Sequence, residues 1–146
     1  MTNKIHVKKL KPNAILPTYG SLEAAGADLY ACLESPVEIE PGKTVFIPTG
    51  LAMEIPSGFA GLAYARSGLA CKQDLAPANK VGVIDSDYRG EFIIALHNHG
   101  REVRTIVHGE RIAQLVITPV FTPGFTEVSE LSDTKRGSGG FGSTGK

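Results

Sequence analysis

Glycine and proline cut this chain into short pieces, and that limits its fold more than any other feature. Seventeen glycines and nine prolines are spread through 146 residues. Between them lie segments such as "IHVKKL", "GADLYACL", "KTVFIPTGLAMEI", "FAGLAYA", "EFIIALHN", "EVRTIVH" and "RIAQLVITPVF". These are rich in Val, Ile, Thr, Phe and Tyr, the residues that suit a pleated, half-buried surface. The separators "SPVEIEPG", "IPSG", "NHG" and "TPG" have turn composition. Many short strands between turns predict an all-β sandwich, jelly roll or barrel. The exception is "ARSGLACKQ", which predicts one or two helical turns with Ser67 as the cap.

The length fits one compact domain. Residues 1–130 read as the folded body, and 131–146 as a polar, glycine-rich arm. Fifteen basic residues balance fifteen acidic ones, so no global field marks a nucleic-acid or membrane binder. An anionic ligand would have to be held by local groups. Cys32 and Cys71 have no metal spacing and read as reduced, buried small hydrophobes. The opening "MTNKIHVKKLKP" is polar, without the apolar run of a secretory signal. No apolar run approaches the ~18 residues of a membrane span. Together these predict a cytoplasmic protein.

Several clusters carry polar chemistry in a mostly apolar pattern. In "GVIDSDYRGEF", Val83 and Ile84 read as strand, "SDYRG" as turn and "EFIIALHN" as the returning strand of a hairpin. Asp85 and Asp87 stand two apart, on one strand face. They are either solvated turn carboxylates or a general base or metal contact beside a ligand. Tyr88 is an exposed aromatic or a flat surface for a sugar or base. "ARSGLA" sets a guanidinium, a hydroxyl and free amides together, a group that suits phosphate oxygens. "AGADLYA" places Asp28 among small and apolar residues, where a charge needs a partner or water. In "GERIAQLVI", Gln114 faces solvent or a polar pocket. His97 and His99 share a strand face, a spacing that can bind zinc, but no third ligand is evident.

Two nucleotide-binding patterns overlie "RGSGGFGSTGK": Gly137, Gly139 and Gly142 fit G-x-G-x-x-G, while Gly140, Gly145 and Lys146 fit the start of a P-loop. A dinucleotide fingerprint follows a strand and opens a helix, and a P-loop also leads into a helix. No helical pattern follows either match, so both read as coincidences of glycine density. The composition instead suits an arm that is disordered alone and ordered on a nucleotide. Glycine lets backbone approach closely, Phe141 can stack on a base, and Arg136 with hydroxyls can hold phosphate.

In this order, "AGADLYA", "ARSGLA", "GVIDSDYRGE", "GERIAQLVI" and "RGSGGFGSTG" resemble the five motifs of the trimeric dUTPases, the deoxyuridine triphosphate nucleotidohydrolases. The resemblance runs from about Lys8 to Gly145. It implies a jelly-roll-like β-barrel and a homotrimer with shared active sites. One chain would supply the first, second and fourth motifs, a second the third-motif hairpin, and a third its C-terminal arm. The implied reaction is dUTP plus water giving dUMP and pyrophosphate, with Mg²⁺. It limits uracil incorporation into DNA and supplies dUMP for dTMP synthesis.

The resemblance also assigns roles. Asp85 aligns with the carboxylate that activates the attacking water. Tyr88 aligns with the ring under deoxyribose. Asn79 sits where many bacterial members hold uracil, with main chain near Val83, Ile84 and Ile93 completing recognition. Arg66, Ser67 and Gly68 match the phosphate-binding second motif, and Gln114 the fourth-motif phosphate contact. Asp28 matches the acid that meets the metal through water. Arg136, Ser143 and Thr144 would meet the terminal phosphate, Phe141 would stack over uracil, and Gly142 would let the arm close. The partners implied are dUTP and two further copies of the chain, with no nucleic acid and no membrane. The alternatives are a dCTP deaminase-type relative and a non-catalytic nucleotide-binding β-barrel.

Overall fold

A computed structural model describes residues 4–141. The described residues form twelve strands and one short helix. In chain order they are β1 (His6–Lys9), β2 (Thr18–Tyr19), β3 (Ala27–Tyr30), β4 (Val37–Ile39), β5 (Thr44–Pro48), β6 (Leu51–Glu54), β7 (Phe59–Tyr64), α1 (Ser67–Gln73), β8 (Leu75–Pro77), β9 (Gly82–Ile84), β10 (Ile93–Asn98), β11 (Arg104–Ile106) and β12 (Arg111–Pro119). The all-β class read from the sequence holds. The wall is not one closed barrel: the strands form four ladders, β1-β6, β5-β10-β8, β11-β4 and β2-β3-β12-β7-β9. No helix among the described residues is long and apolar enough to cross a membrane.

Leu29, Ile39, Ile47, Leu51, Leu75, Leu96, Ile106 and Ile112 are fully buried in one core to which most strands contribute. Two polar side chains are buried with them. Thr49 donates to the Phe92 carbonyl at 2.6 Å, and the Asn98 amide donates to the carbonyls of Ile39 at 2.8 Å and Glu102 at 2.7 Å. Both are bonded, as a buried polar group must be to avoid a desolvation cost.

The sequence pattern predicted a hairpin through residues 82–98, and the structure corrects it. β9 pairs with β7 and ends its sheet, whereas β10 pairs with β5 and β8. The cause lies at the start of β10. Phe92 donates its N–H to the Leu51 carbonyl at 2.8 Å, and its own carbonyl accepts from the Thr49 hydroxyl. The Gly50 N–H donates to the Glu91 carboxylate at 2.7 Å. These ties draw the returning chain away from β9, and a cleft opens between the two strands.

Helix α1 starts one residue earlier than expected. Arg66 occupies the cap position in extended conformation, and Ser67 is the first helical residue. No side chain caps the helix. Leu69 anchors it in the core, and Asp74 ends it in the left-handed region. Of the cysteines, Cys32 is buried as expected and Cys71 is exposed on the helix.

Leu96 lies on β10 behind the cleft and is fully buried. Leu96→Ala is expected to lower the free energy of unfolding by about 2–5 kcal/mol, the usual cost of such a cavity. Chemical denaturation of the two proteins measures it.

Candidate active site

The five-stranded sheet brings three of the clusters together. Asp28 on β3 stands opposite Gln114 on β12, and Gln114 stands opposite Tyr64 on β7. Arg66 follows two residues after Tyr64. Its Nε donates to Asp28 Oδ1 at 2.6 Å, and Arg111 Nη1 donates to Asp28 Oδ2 at 3.3 Å. Asp28 therefore has its partners, as a carboxylate in an apolar strand requires. Gln114 Nε2 donates to the Ala65 carbonyl at 2.9 Å, fixing the amide across the sheet. Gly20, Ala24, Gly26, Asp28, Arg66, Ser67, Arg111 and Gln114 line a cleft of about 210 Å³. Ser67 and Gly68 are exposed at the start of α1, where first-turn N–H groups lack partners within a helix. The cleft offers fixed donors and guanidinium, the chemistry that holds an oxyanion.

Gly26 is required by this packing. A Cβ there would come 2.6 Å from Gln114 Oε1 and 3.2 Å from Gln114 Cβ.

The second cleft, of about 380 Å³, lies where β9 and β10 part. Asn79, Val83, Ile84, Asp85, Tyr88 and Ile93, all expected at a site, line it. Phe46, on β5 opposite Ala95, lines it as well. The sequence reading passed over Phe46, which resembles any strand aromatic until β5 is known to flank the opening. Tyr88 is held at both ends. Its hydroxyl donates to the Glu91 carbonyl at 3.0 Å, and the ring covers Gly90 so closely that a Cβ there would overlap it. β9 is an edge strand, so its outer main-chain groups are free to read a planar ligand. Asp85 is exposed at the end of β9. It enters none of the ion pairs among the described residues.

The two clefts share no lining residue. Continuing the β7/β9 register, in which Ile84 faces Gly61, sets Asp85 beside Ala60. Arg66 lies past Tyr64 at the other end of β7. Four strand residues span about 13 Å, so within one chain the backbone positions of Asp85 and Arg66 lie toward opposite ends of β7.

The described arm residues line neither cleft. Arg136 Nε donates to the Gly139 carbonyl at 2.8 Å, and Phe141 is fully exposed. Gly142, Ser143 and Thr144 lie outside the described residues. The last strand ends at Pro119, and residues 120–141 carry Phe121, Phe125 and Leu131 exposed.

The His97 and His99 rings pack 4.4 Å apart, and His97 Nδ1 bonds the Thr44 hydroxyl at 2.9 Å. Desolvation, then the neighbouring His97 and Lys80, lower the pKa of His99 below 6.5, against an opposing pull from Asp74. Among the described residues, no group of three or more His, Cys, Asp or Glu could hold a metal ion.

Comparison with known proteins matches residues 12–145 to the family described as dUTPase. The chain is 54% identical over 131 residues to the deoxyuridine 5'-triphosphate nucleotidohydrolase of Desulfitobacterium hafniense (strain DSM 10664 / DCB-2), covering 89% of this chain and 87% of that protein. It is 47% identical over 147 residues to the protein of that name from Azoarcus sp. (strain BH72), covering 99% of each. Among solved structures it resembles a Staphylococcus bacteriophage 80alpha dUTPase with dUPNHPP, with a TM-score of 0.91, 33% identity, and coverage of 99% of this chain and 100% of that one. The dUTPase from phage phi11 of S. aureus gives 0.82 at 28% identity, covering 90% and 100%.

The contact at Gly26 yields a stability test. Gly26→Ala is expected to cost about 1–3 kcal/mol through overpacking. Gly20→Ala, where an added Cβ meets nothing within 4 Å, should stay within about 0.5 kcal/mol. Chemical denaturation of both variants compares them.

Proposed function

Since this chain belongs to the dUTPase family and is by that membership a hydrolase of dUTP, we propose that water activated by Asp85 attacks the α-phosphorus, releasing dUMP and pyrophosphate. One observation carries this reading. Asp28, Arg66, Ser67 and Gln114 gather in one oxyanion-binding cleft, while Asn79, Val83, Ile84, Asp85, Tyr88 and Ile93 gather in another. Four of the five ordered motifs thus line two clefts, which we read as two half-sites, one for phosphates and one for a nucleoside.

A productive site takes its halves from different copies. The separation of Asp85 from Arg66 along β7 supports this, because a base must come within hydrogen-bond reach of the water it deprotonates. The family's homotrimer supplies such neighbours. Phe121, Phe125 and Leu131, exposed on the last stretch, are the apolar surface that a neighbour would cover.

In the nucleoside cleft, uracil lies against the open edge of β9, with Asn79 and the main chain near Val83, Ile84 and Ile93 reading its donors and acceptors. The fixed Tyr88 ring carries the deoxyribose and leaves no room for a 2′-hydroxyl. Asp85, without an ion-pair partner among the described residues, accepts the proton of the attacking water. In the phosphate cleft, Arg66 presents its Nη groups, since Nε is taken by Asp28. Ser67, Gly68 and Gln114 add neutral donors. Negative charge grows on the phosphate oxygens during attack, and donors already in place stabilise it. Arg136, Ser143 and Thr144 would meet the terminal phosphate, Phe141 would cover the base, and Gly142 would let the arm close over the site.

Mg²⁺ fits this donor set in one way only. Among the described residues, Asp28 is the one carboxylate in the phosphate cleft, and each of its oxygens already accepts from a guanidinium. A spare lone pair can still accept from a metal-bound water, so Asp28 would hold the ion through water. Hard Mg²⁺ keeps waters and prefers phosphate oxygens; when bound it neutralises triphosphate charge. The reaction limits uracil incorporation into DNA and supplies dUMP for dTMP synthesis. The free cysteines support a cytoplasmic location.

The direct test is pyrophosphate release from a panel of nucleotides with Mg²⁺, beside a solution mass. Release from dUTP, without ammonia from dCTP, supports the reading; ammonia release would favour a deaminase. Asp85→Asn is expected to abolish turnover while dUTP still binds, and normal turnover would remove Asp85 as the base. Deleting residues 136–146 should cut turnover severely and leave the trimer intact, its solution mass lowered only by the residues removed. Full activity in the truncated protein would end the arm's role.

A further inference from the structure

The phosphate cleft contains a second guanidinium to which no role has been assigned. We propose that Arg111 is a phosphate-binding residue for the polyphosphate of the substrate, aimed into the cleft by a β-bulge and steadied by Asp28. The inference rests on the phosphate cleft proposed above and adds a second cation to it.

Three observations lead there. The first is the bulge. β12 pairs with β3 in a register that shifts between Arg111 and Ala113: Ala113 faces Leu29, and Arg111 faces Tyr30. One residue of β12, Ile112, is extra. In an unbroken strand, residues three apart point to opposite faces, and Arg111 would leave the face that carries Gln114. The extra residue restores both to one side. Ile112 and Ala113 are accordingly both buried, and Arg111 and Gln114 both line the cleft. Re-aiming a side chain beside a site is a recurrent use of bulges.

The second observation is how the two arginines are held. Asp28's side chain is 12% exposed, Arg66's 26% and Arg111's 52%. Arg66 is anchored closely through Nε. Arg111 touches Asp28 through one Nη at 3.3 Å, so most of its five N–H donors remain free to turn to a ligand. A pair this long and exposed contributes little to stability.

The third is charge. Among the described residues, Asp28 is the only carboxylate lining the cleft, against two guanidiniums, which leaves one positive charge in excess. Gly20, Ala24 and Gly26 also line it and carry little or no side chain. Planar forks on either side of one carboxylate suit the spread oxygens of a polyphosphate. Asp28 is a positioning residue here, because it sets both forks in the cleft.

The test measures binding of inorganic tripolyphosphate and of deoxyuridine, with KM and kcat for dUTP, in the full-length protein and in R111Q and R111K. R111Q is expected to weaken tripolyphosphate binding by roughly tenfold or more. It should raise KM for dUTP by a similar factor and leave deoxyuridine affinity unchanged. R111K should recover part of the loss. Wild-type tripolyphosphate affinity in R111Q overturns the proposal, as does an equal loss of deoxyuridine binding, which marks a structural role. If R111Q does not fold, R111K decides alone: weaker tripolyphosphate binding supports the proposal, and unchanged binding overturns it. A wild-type protein that binds tripolyphosphate but releases no pyrophosphate from dUTP would sink the proposed function and leave this inference standing.

Discussion

The two-sided pairing of β12, with β3 along one edge and β7 along the other, is the constraint on which the phosphate cleft depends. It sets Asp28, Gln114 and Tyr64 in one row although they are far apart in the chain. From that row Arg66 reaches Asp28, and Gln114 reaches the Ala65 carbonyl. The absence of a side chain at Gly26 leaves room for the Gln114 amide. The bulge at Ile112 then decides which face Arg111 joins. Cross-strand hydrogen bonds thus specify the positions of the charged groups more closely than any contact among the charges.

The nucleoside cleft arises from the opposite event, a pairing that does not form. Ties from Thr49, Gly50 and Leu51 to Glu91 and Phe92 carry β10 to a different sheet. β9 keeps an unpaired edge, and space remains between the strands. Open strand edges are ordinarily a liability, because they invite pairing with other chains. Here the edge is short and faces a cleft. The two clefts share no lining residue, and Asp85 and Arg66 stand toward opposite ends of β7, which is what favours the proposal of a site built from more than one copy of the chain.

Much of this was legible in advance. Strand-forming segments between Gly and Pro pointed to an all-β fold, and Asp28, Arg66, Ser67, Asn79, Tyr88, Asp85 and Gln114 all line one cleft or the other. The hairpin was not legible, because Val83–Ile84 and Ile93–Ile94 have the composition of paired strands and the ties that part them come from about forty residues earlier. Ser67 looked like a cap by type, but the helix begins at Ser67 itself. For Arg111 a faint signal existed. Ile112 and Ala113 are adjacent apolar residues where strict alternation would place one outside, and a bulge resolves that conflict. Phe46 carried no signal, since its place at the cleft is set by the pairing of β5 with β10.

Sequence by itself determined the inventory: short strands, one brief helix after Tyr64, and the order of the polar clusters. Those follow from the backbone preferences of each residue and its immediate neighbours. Only the tertiary structure decided which clusters meet, that they form two clefts, and that Arg111 turns toward Gln114. The reason is that sheet register depends on hydrogen bonds between distant segments. A shift of one residue in that register moves a side chain to the other face.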